Sequence, residues 1–304
     1  MSASSGTLSD QQVRDRFLKE TERNFSVIAP AGVGKTEAIV RRVIGMAGEP
    51  LPIARQKLST LVVVTYTNRA AHEMQHRARN GMLESKADPE LLASFNQAFF
   101  GTIHQFCFKL LRTYGHHLGL PSALEVLADE DALWLEFIRG LSDLPAGIAD
   151  DTVEQCLRHL SATDLLAVGH RLPPGILIPQ APRPYPSLSF DSLLNHRPST
   201  ARSEHTVTTG QALVRQWLDA LHSGLAPLPI PRYSKGDARF KECWNEAFTP
   251  LRRWLGESCA MVGARIADAF QAYRLSKGRL TYDDQIALAA QNLRSLGPAS
   301  EDRS

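Results

Sequence analysis

Long hydrophobic runs are missing from this chain. No apolar stretch among its 304 residues approaches the ~18 needed to span a membrane. The first residues, Met1-Ser-Ala-Ser-Ser-Gly6, have no basic-then-apolar signal region. Cysteine is scarce: Cys107, Cys156, Cys243 and Cys259 are scattered with no C-x-x-C pair. Neither a zinc site nor a disulfide frame is signalled, and reduced thiols in a cytoplasmic protein are expected. An excess of one charge sign is also lacking. With 34 basic and 32 acidic residues the net charge is +2, so any nucleic-acid-binding surface must be local. No internal repeat is visible. What is present is 43% apolar and 22% charged residues, the composition of a folded protein, with length enough for two domains.

Residues 29–36 read Ala-Pro-Ala-Gly-Val-Gly-Lys-Thr after the short apolar run Phe25-Ser26-Val27-Ile28. This is the pattern of a strand entering a glycine-containing loop that opens a helix. Gly32 and Gly34 let the backbone curl so that N–H groups point inward at phosphate oxygens. Lys35 brings a compact positive charge to the β- and γ-phosphates, and the Thr36 hydroxyl is a Mg2+ ligand. The helix that follows turns its positive end toward the anion. A nucleoside triphosphate and Mg2+ are therefore the expected cofactors, held by Ala29, Pro30, Ala31, Gly32, Val33, Gly34, Lys35 and Thr36, with Lys35 and Thr36 carrying the catalytic contribution. The usual opening glycine of such loops is Ala29 here.

The surrounding pattern alternates strands and helices, which predicts a parallel doubly wound α/β unit over residues 1–118. Asp10–Glu22 is helix-compatible, Phe25–Ile28 a strand, and a helix is expected to Met46. Gly48, Pro50 and Pro52 then break the chain. Leu61–Val64 reads as a buried parallel strand, Asn68–Glu84 as a helix, Phe99–Gly101 as a short strand and Thr102–Tyr114 as a helix. After Gly115–Pro121 the spacing becomes helical over 122–170 and 211–275. Leu172–Pro186 carries six prolines, and Pro227, Pro229 and Pro231 form a second cluster. Both read as loops or flexible linkers, and 187–208 as polar and short of order signals. The tail Gly297–Ser304 reads as frayed.

Two further segments sit where a parallel strand ends and a helix begins, the edge where α/β folds place ligands. They are Thr65-Tyr66-Thr67-Asn68-Arg69-Ala70-Ala71-His72-Glu73-Met74 and Gly101-Thr102-Ile103-His104-Gln105-Phe106. Hydroxyls, an amide, a cation and an aromatic suit a single-stranded nucleic acid. Taken singly, Thr65–Asn68 also reads as a helix cap with a turn, and His104 as a half-buried imidazole.

In this order the segments resemble superfamily 1 DNA helicases of the UvrD/Rep type. Residues 29–36 look like that family's motif I, Thr65–Met74 like motif Ia with Tyr66 and Arg69 as mild substitutions, and Gly101–Phe106 like motif Ib. Leu8–Gln12 is similar to the segment whose glutamine reads adenine. Leu280-Thr281-Tyr282-Asp283-Asp284 resembles the helix start that precedes motif II. The likeness covers residues 8–120 and about 270–294. It implies a RecA-like P-loop domain at 1–118, a mainly helical insertion at 119–275 and a return segment at 276–304. It further implies that the nucleotide is ATP, that Gln12 bonds its adenine and that Tyr66, Asn68, Arg69, Thr102 and His104 touch single-stranded DNA. Arg42 occupies a position that is commonly basic in the family, and by itself it reads as a solvated surface charge. Glu37 stands where several members carry Arg.

Motif II, an apolar strand ending Asp-Glu-x-Gln-Asp, has no match. Asp129-Glu130 and Asp283-Asp284 read as helix starts. The expectation is thus a front portion of a 3′–5′ DNA helicase, truncated before motif II, that binds nucleotide weakly and unwinds nothing alone. A second chain would supply the missing RecA-like domain. The alternatives are a fragment of a RecB/AddA-type helicase–nuclease, or a non-catalytic DNA-binding remnant. A small P-loop kinase would leave Thr65–Met74 and Gly101–Phe106 as coincidences.

Overall fold

The computed structural model describes residues 10–28, 30, 32–141, 150–176, 183–233 and 237–296. The chain divides into two units, residues 1–126 with 280–304, and residues 127–279.

The first unit opens with helix α1 (Asp10–Lys19), followed by α2 (Lys35–Met46), α3 (Leu51–Ser59), strand β1 (Val62–Thr65), α4 (Asn68–Glu84), α5 (Pro89–Phe95), strand β2 (Phe99–Thr102) and α6 (Ile103–Tyr114). Pro52 does not break the chain: it sits in the first turn of α3, where its missing N–H has no helical partner to lose. Helix α4 buries Ala71, Met74, Ala78 and Met82, the three- and four-residue spacing of one helix face. Met74, Ala78 and Met82 meet Val40 and Val43 of α2, Ala54 and Leu58 of α3, Val63 of β1, and Leu91 and Phe95 of α5 in one apolar core. Each large side chain so buried stabilises by about 1.5–3 kcal/mol.

β1 and β2 pair in parallel, with Val62 opposite Phe99 and Thr65 opposite Thr102. The anticipated sheet is smaller than the sequence suggests. Residues 25–28 are irregular, and Ile28 is 98% exposed. Among the described residues no strand lies beside them, so their N–H and C=O groups lack a ladder partner. Val63 is buried, whereas Val62 and Val64 stay exposed at 42% and 41%. β1 is therefore covered on one face, not on both.

The second unit is helical. It contains α7 (Asp131–Gly140), α8 (Asp150–Leu157), α9 (Ala162–Arg171), the single turn α10 (Asp191–Leu194), α11 (Glu204–His222) and α12 (Ala238–Ser276). Helix α12 has 39 residues and is about 58 Å long at 1.5 Å per residue. Pro250 lies inside it. Burial of Trp244, Phe248, Leu251, Trp254 and Leu255 around that point offsets the roughly 3 kcal/mol that an interior proline costs. Trp134, Phe137, Phe190, Trp217 and Phe240 complete an aromatic core. Asp237 caps α12, accepting from the N–H groups of Arg239 at 3.0 Å and Phe240 at 3.2 Å.

Three stretches expected to be loose are anchored. Phe190 and Leu193, in the segment read as short of order, are buried in this core. The indole of Trp254 donates to the Arg183 carbonyl at 2.9 Å and that of Trp217 to the Pro229 carbonyl at 3.1 Å. Tryptophans 12 and 71 residues away thus pin both proline-rich segments, which local composition does not reveal. Residues 177–182 of the first of these segments, and the tail 297–304, lie outside the described residues.

The chain re-enters the first unit through α13 (Tyr282–Leu296), which packs on α6. The Asn292 amide donates to the Tyr114 carbonyl at 2.8 Å.

Candidate nucleotide and nucleic-acid site

The loop before α2 turns through two left-handed residues, Gly32 at φ +80° and Gly34 at φ +86°. A Cβ at either would meet nothing within 4 Å, so glycine is required there by backbone angle and not by space. Gly34 is the N-cap of α2 and offers no side-chain acceptor to the first-turn amides. Those amides, Lys35 and the hydroxyl of Thr36 make a donor set that fits a phosphate chain and its counter-cation. The Lys35 ammonium arches back over the loop and donates to the Pro30 carbonyl at 2.7 Å. Lys35, Thr36 and Val33 are all exposed. Glu37 pairs with Arg41 at 2.8 Å on the solvent side of α2. Ala29 and Ala31 lie outside the described residues.

Gln12 stands on the exposed face of α1. Arg42 of α2 is not the solvated charge that its sequence context suggests. Its guanidinium donates to the carbonyls of Phe17, Glu20 (3.0 Å), Thr21 (3.2 Å) and Arg23 (3.4 Å). It also lies 4.8 Å from the Phe17 ring centroid and 5.2 Å from that of Phe25. Those two rings meet edge to face at 5.5 Å. No pattern in the sequence announces this, because the acceptors are backbone oxygens 19 to 25 residues away.

The parallel register sets Thr65 beside Thr102, so the turns after β1 and β2 emerge at one edge. After β1, the Thr65 hydroxyl donates to the Thr67 carbonyl at 2.8 Å, and the Thr67 hydroxyl accepts from the Ala70 N–H at 3.2 Å, capping α4. This fixes the turn and projects Tyr66 outward, fully exposed at 104%, with Asn68 and Arg69 also exposed. After β2, Thr102 and Gln105 form a reciprocal cap on α6, at 3.0 and 3.4 Å. The Thr102 hydroxyl is thereby engaged in the fold. His104 meets Tyr282 of α13 edge to face, centroids 5.1 Å apart. Tyr282 is 56% exposed and was not among the residues expected at this edge. Its only signal is an aromatic at a helix start far along the chain.

Asp129, Glu130 and Asp284 have structural partners. The Asp129 carboxylate accepts from the Asp131 N–H at 3.0 Å, as a helix start should, and Glu130 pairs with the buried Arg274 at 3.3 Å. Asp284 and Thr281 exchange bonds at 2.9 and 3.1 Å. Among the described residues no cluster of three or more His, Cys, Asp or Glu could hold a metal, and no helix is long and apolar enough to cross a membrane.

Comparison with known proteins adds the lineage. The chain is 37% identical over 124 residues to an ATP-dependent helicase/nuclease subunit of Heliobacterium modesticaldum, covering 38% of this chain and 8% of that protein. The protein of the same name from Bacillus anthracis is 30% identical over 143 residues, covering 44% and 11%. DNA helicase II of Haemophilus influenzae is 34% identical over 114 residues, covering 37% and 14%. The matched part is thus a small fraction of each relative's length. The family profile of the UvrD/REP helicase N-terminal domain matches residues 9–296. A match over nearly the whole chain shows that it belongs to the UvrD/REP helicase N-terminal domain family.

Proposed function

We propose that this chain is the ATP- and single-stranded-DNA-binding front portion of a UvrD-like 3′–5′ DNA helicase. In this reading residues 1–118 belong to a RecA-like ATP-binding domain, 119–275 to a helical insertion and 276–304 to a return segment. The observation that carries it is the left-handed Gly32–Gly34 turn that delivers Lys35 and Thr36 at the start of α2. The loop amides and Lys35 hold the β- and γ-phosphates, Thr36 ligates Mg2+, and Gln12 bonds the adenine. Bound Mg2+ supplies charge neutralisation across the phosphates. Tyr66, Asn68, Arg69, Thr102 and His104, with Tyr282, line the strand's path at the β1–β2 edge, the rings stacking on bases.

Hydrolysis also needs an acid on the metal side and a group that orients water. Of the acids that could take those roles, Asp129, Glu130 and Asp284 are spent on helix caps and an ion pair, and Asp283 stands exposed in the first turn of α13. The 304-residue chain alone therefore binds nucleotide without turnover, and a second RecA-like domain completes the motor. The resemblance to helicase/nuclease subunits supports a second reading, the front of one such protein.

The test is ATP binding and hydrolysis by the 304-residue chain, with and without single-stranded DNA, beside Lys35→Ala. Nucleotide binding lost in the variant, with no turnover in either protein, is expected. DNA-stimulated turnover that Lys35→Ala abolishes would overturn the inactive-alone reading. Absence of nucleotide binding would overturn the site itself.

A further inference from the structure

We propose that Arg42 is a positioning residue for base selection, setting Gln12 at a fixed distance from Lys35 so that base and phosphates are read together. The proposal rests on the reading of Gln12 as the base contact and goes beyond it by assigning a residue that touches no nucleotide.

The geometry is that of a clamp. The last carbonyls of a helix have no intrahelical donor. At the end of α1 one guanidinium satisfies that of Phe17, and continues to Glu20, Thr21 and Arg23 in the turn that follows. A cation at a helix C-terminus also opposes the negative end of the helix dipole. The same group faces the rings of Phe17 on α1 and Phe25 ahead of the loop. Three consecutive pieces of chain, the end of α1, the turn and the loop entry, are thus fastened to one side chain of α2.

What the clamp joins has chemical meaning. Gln12 precedes Phe17 by five residues on α1, about 7.5 Å along its axis, and Lys35 precedes Arg42 by seven on α2, about 10 Å. Both helices are stiff over those lengths, so a fork between Arg42 and Phe17 fixes the span from Gln12 to Lys35. Loosening the fork would leave the loop angles, set by Gly32 and Gly34, as they are. It would let α1 drift, and base recognition would be lost before phosphate recognition.

Lysine at this position keeps the charge and most of the stem, but cannot bridge four carbonyls with a planar fork. The experiment therefore compares the full chain as wild type, Arg42→Lys, Arg42→Ala and Gln12→Ala. It measures dissociation constants for Mg-ATP, Mg-GTP and Mg-tripolyphosphate by calorimetry, with thermal melts of each protein. The wild type should prefer ATP, and both Gln12→Ala and Arg42→Lys should lose that preference by about tenfold, the worth of one hydrogen bond. Tripolyphosphate affinity should stay within about twofold. A purely structural role would lower all three affinities together or only the melting temperature.

An Arg42→Lys protein that melts like the wild type and keeps its ATP preference overturns the proposal. So does an equal loss of tripolyphosphate affinity. A wild type that binds tripolyphosphate without preferring ATP overturns the role of Gln12 and this inference with it. A wild type that binds neither ligand overturns the nucleotide site as a whole, a result separable from the others by its tripolyphosphate arm.

Discussion

The imidazole of His104 stands edge-on to the phenol ring of Tyr282, centroids 5.1 Å apart, although the two lie on helices far apart in the first unit's sequence. Their contact puts two rings at the edge where β1 and β2 release Tyr66 and Thr102. A base stacked on an aromatic side chain is worth about 1–3 kcal/mol. Tyr282→Ala should therefore weaken binding of a fluorescent oligo-dT by roughly fivefold or more. Fluorescence anisotropy at fixed salt checks this, and unchanged affinity would remove Tyr282 from the proposed path.

Gly34 holds φ +86° with open space where a Cβ would go. Gly34→Ala should fold, because nothing collides. Alanine disfavours this backbone region by roughly 1–2 kcal/mol, so the loop would occupy its binding form less of the time and nucleotide affinity should drop about 5- to 30-fold. Wild-type affinity in this variant would mean that the loop does not bind phosphate in the conformation described.

Gly169 of α9 and Gly263 of α12 face each other where those helices pack tightly, each leaving no room for a Cβ. A Cβ on Gly169 would lie 2.5 Å from Ile266 Cγ2 and 3.3 Å from the Gly263 carbonyl. Ile266 is fully buried and cannot swing away. Gly169→Ala should destabilise the second unit by about 1–3 kcal/mol, less whatever the better helix propensity of alanine returns. Urea titration followed by tryptophan fluorescence reads this directly, since Trp134, Trp217, Trp244 and Trp254 all lie in the adjoining core.

His159 is buried, with Nδ1 3.0 Å from the Leu228 carbonyl and Nε2 3.0 Å from the Tyr185 hydroxyl. The carbonyl can only accept, so Nδ1 carries the proton and Nε2 accepts from Tyr185. Burial lowers the imidazole's pKa from its ordinary 6.5. Below that value the unfolded chain takes up a proton that the folded one refuses. Stability is therefore full above about pH 6.5 and falls as pH drops through the window down to the folded value. Asp237 adds a second loss at lower pH. Hydrogen bonds from the Ser199 hydroxyl and amide and from the Phe240 amide hold its pKa well below the usual 3.8, so its contribution disappears as pH falls below about 4. Melting temperatures at pH 8 and pH 5 should differ in the wild type and differ less in His159→Gln. An equal difference in both would locate the dependence elsewhere.

Much of the first unit was legible along the chain. Helices ending at Met46 and spanning Asn68–Glu84, and strands near residues 61–65 and 99–102, follow from spacing and β-branched runs. Their signals are local: an apolar period, a threonine cap, a proline or glycine break. Residues 25–28 defeated the same logic because a strand exists only with a neighbour to bond, and apolar character names no neighbour. The anchored proline segments were opaque for a related reason, their partners being the indoles of Trp217 and Trp254.

The sequence by itself determined the chemistry that can be offered: the glycines at positive φ, the lysine and threonine that follow them, and the polar turns after two strands. Those are properties of residue type and short spacing, which backbone sterics translate directly into local form. Only the tertiary structure decided which of these groups stand together. It set Thr65 beside Thr102 through β pairing, brought Tyr282 against His104 through the packing of α13 on α6, and turned Arg42 from a surface charge into a clamp on α1. Each of those relations joins residues tens to hundreds of positions apart, and long-range burial and hydrogen bonding, which have no local signature, are what hold them.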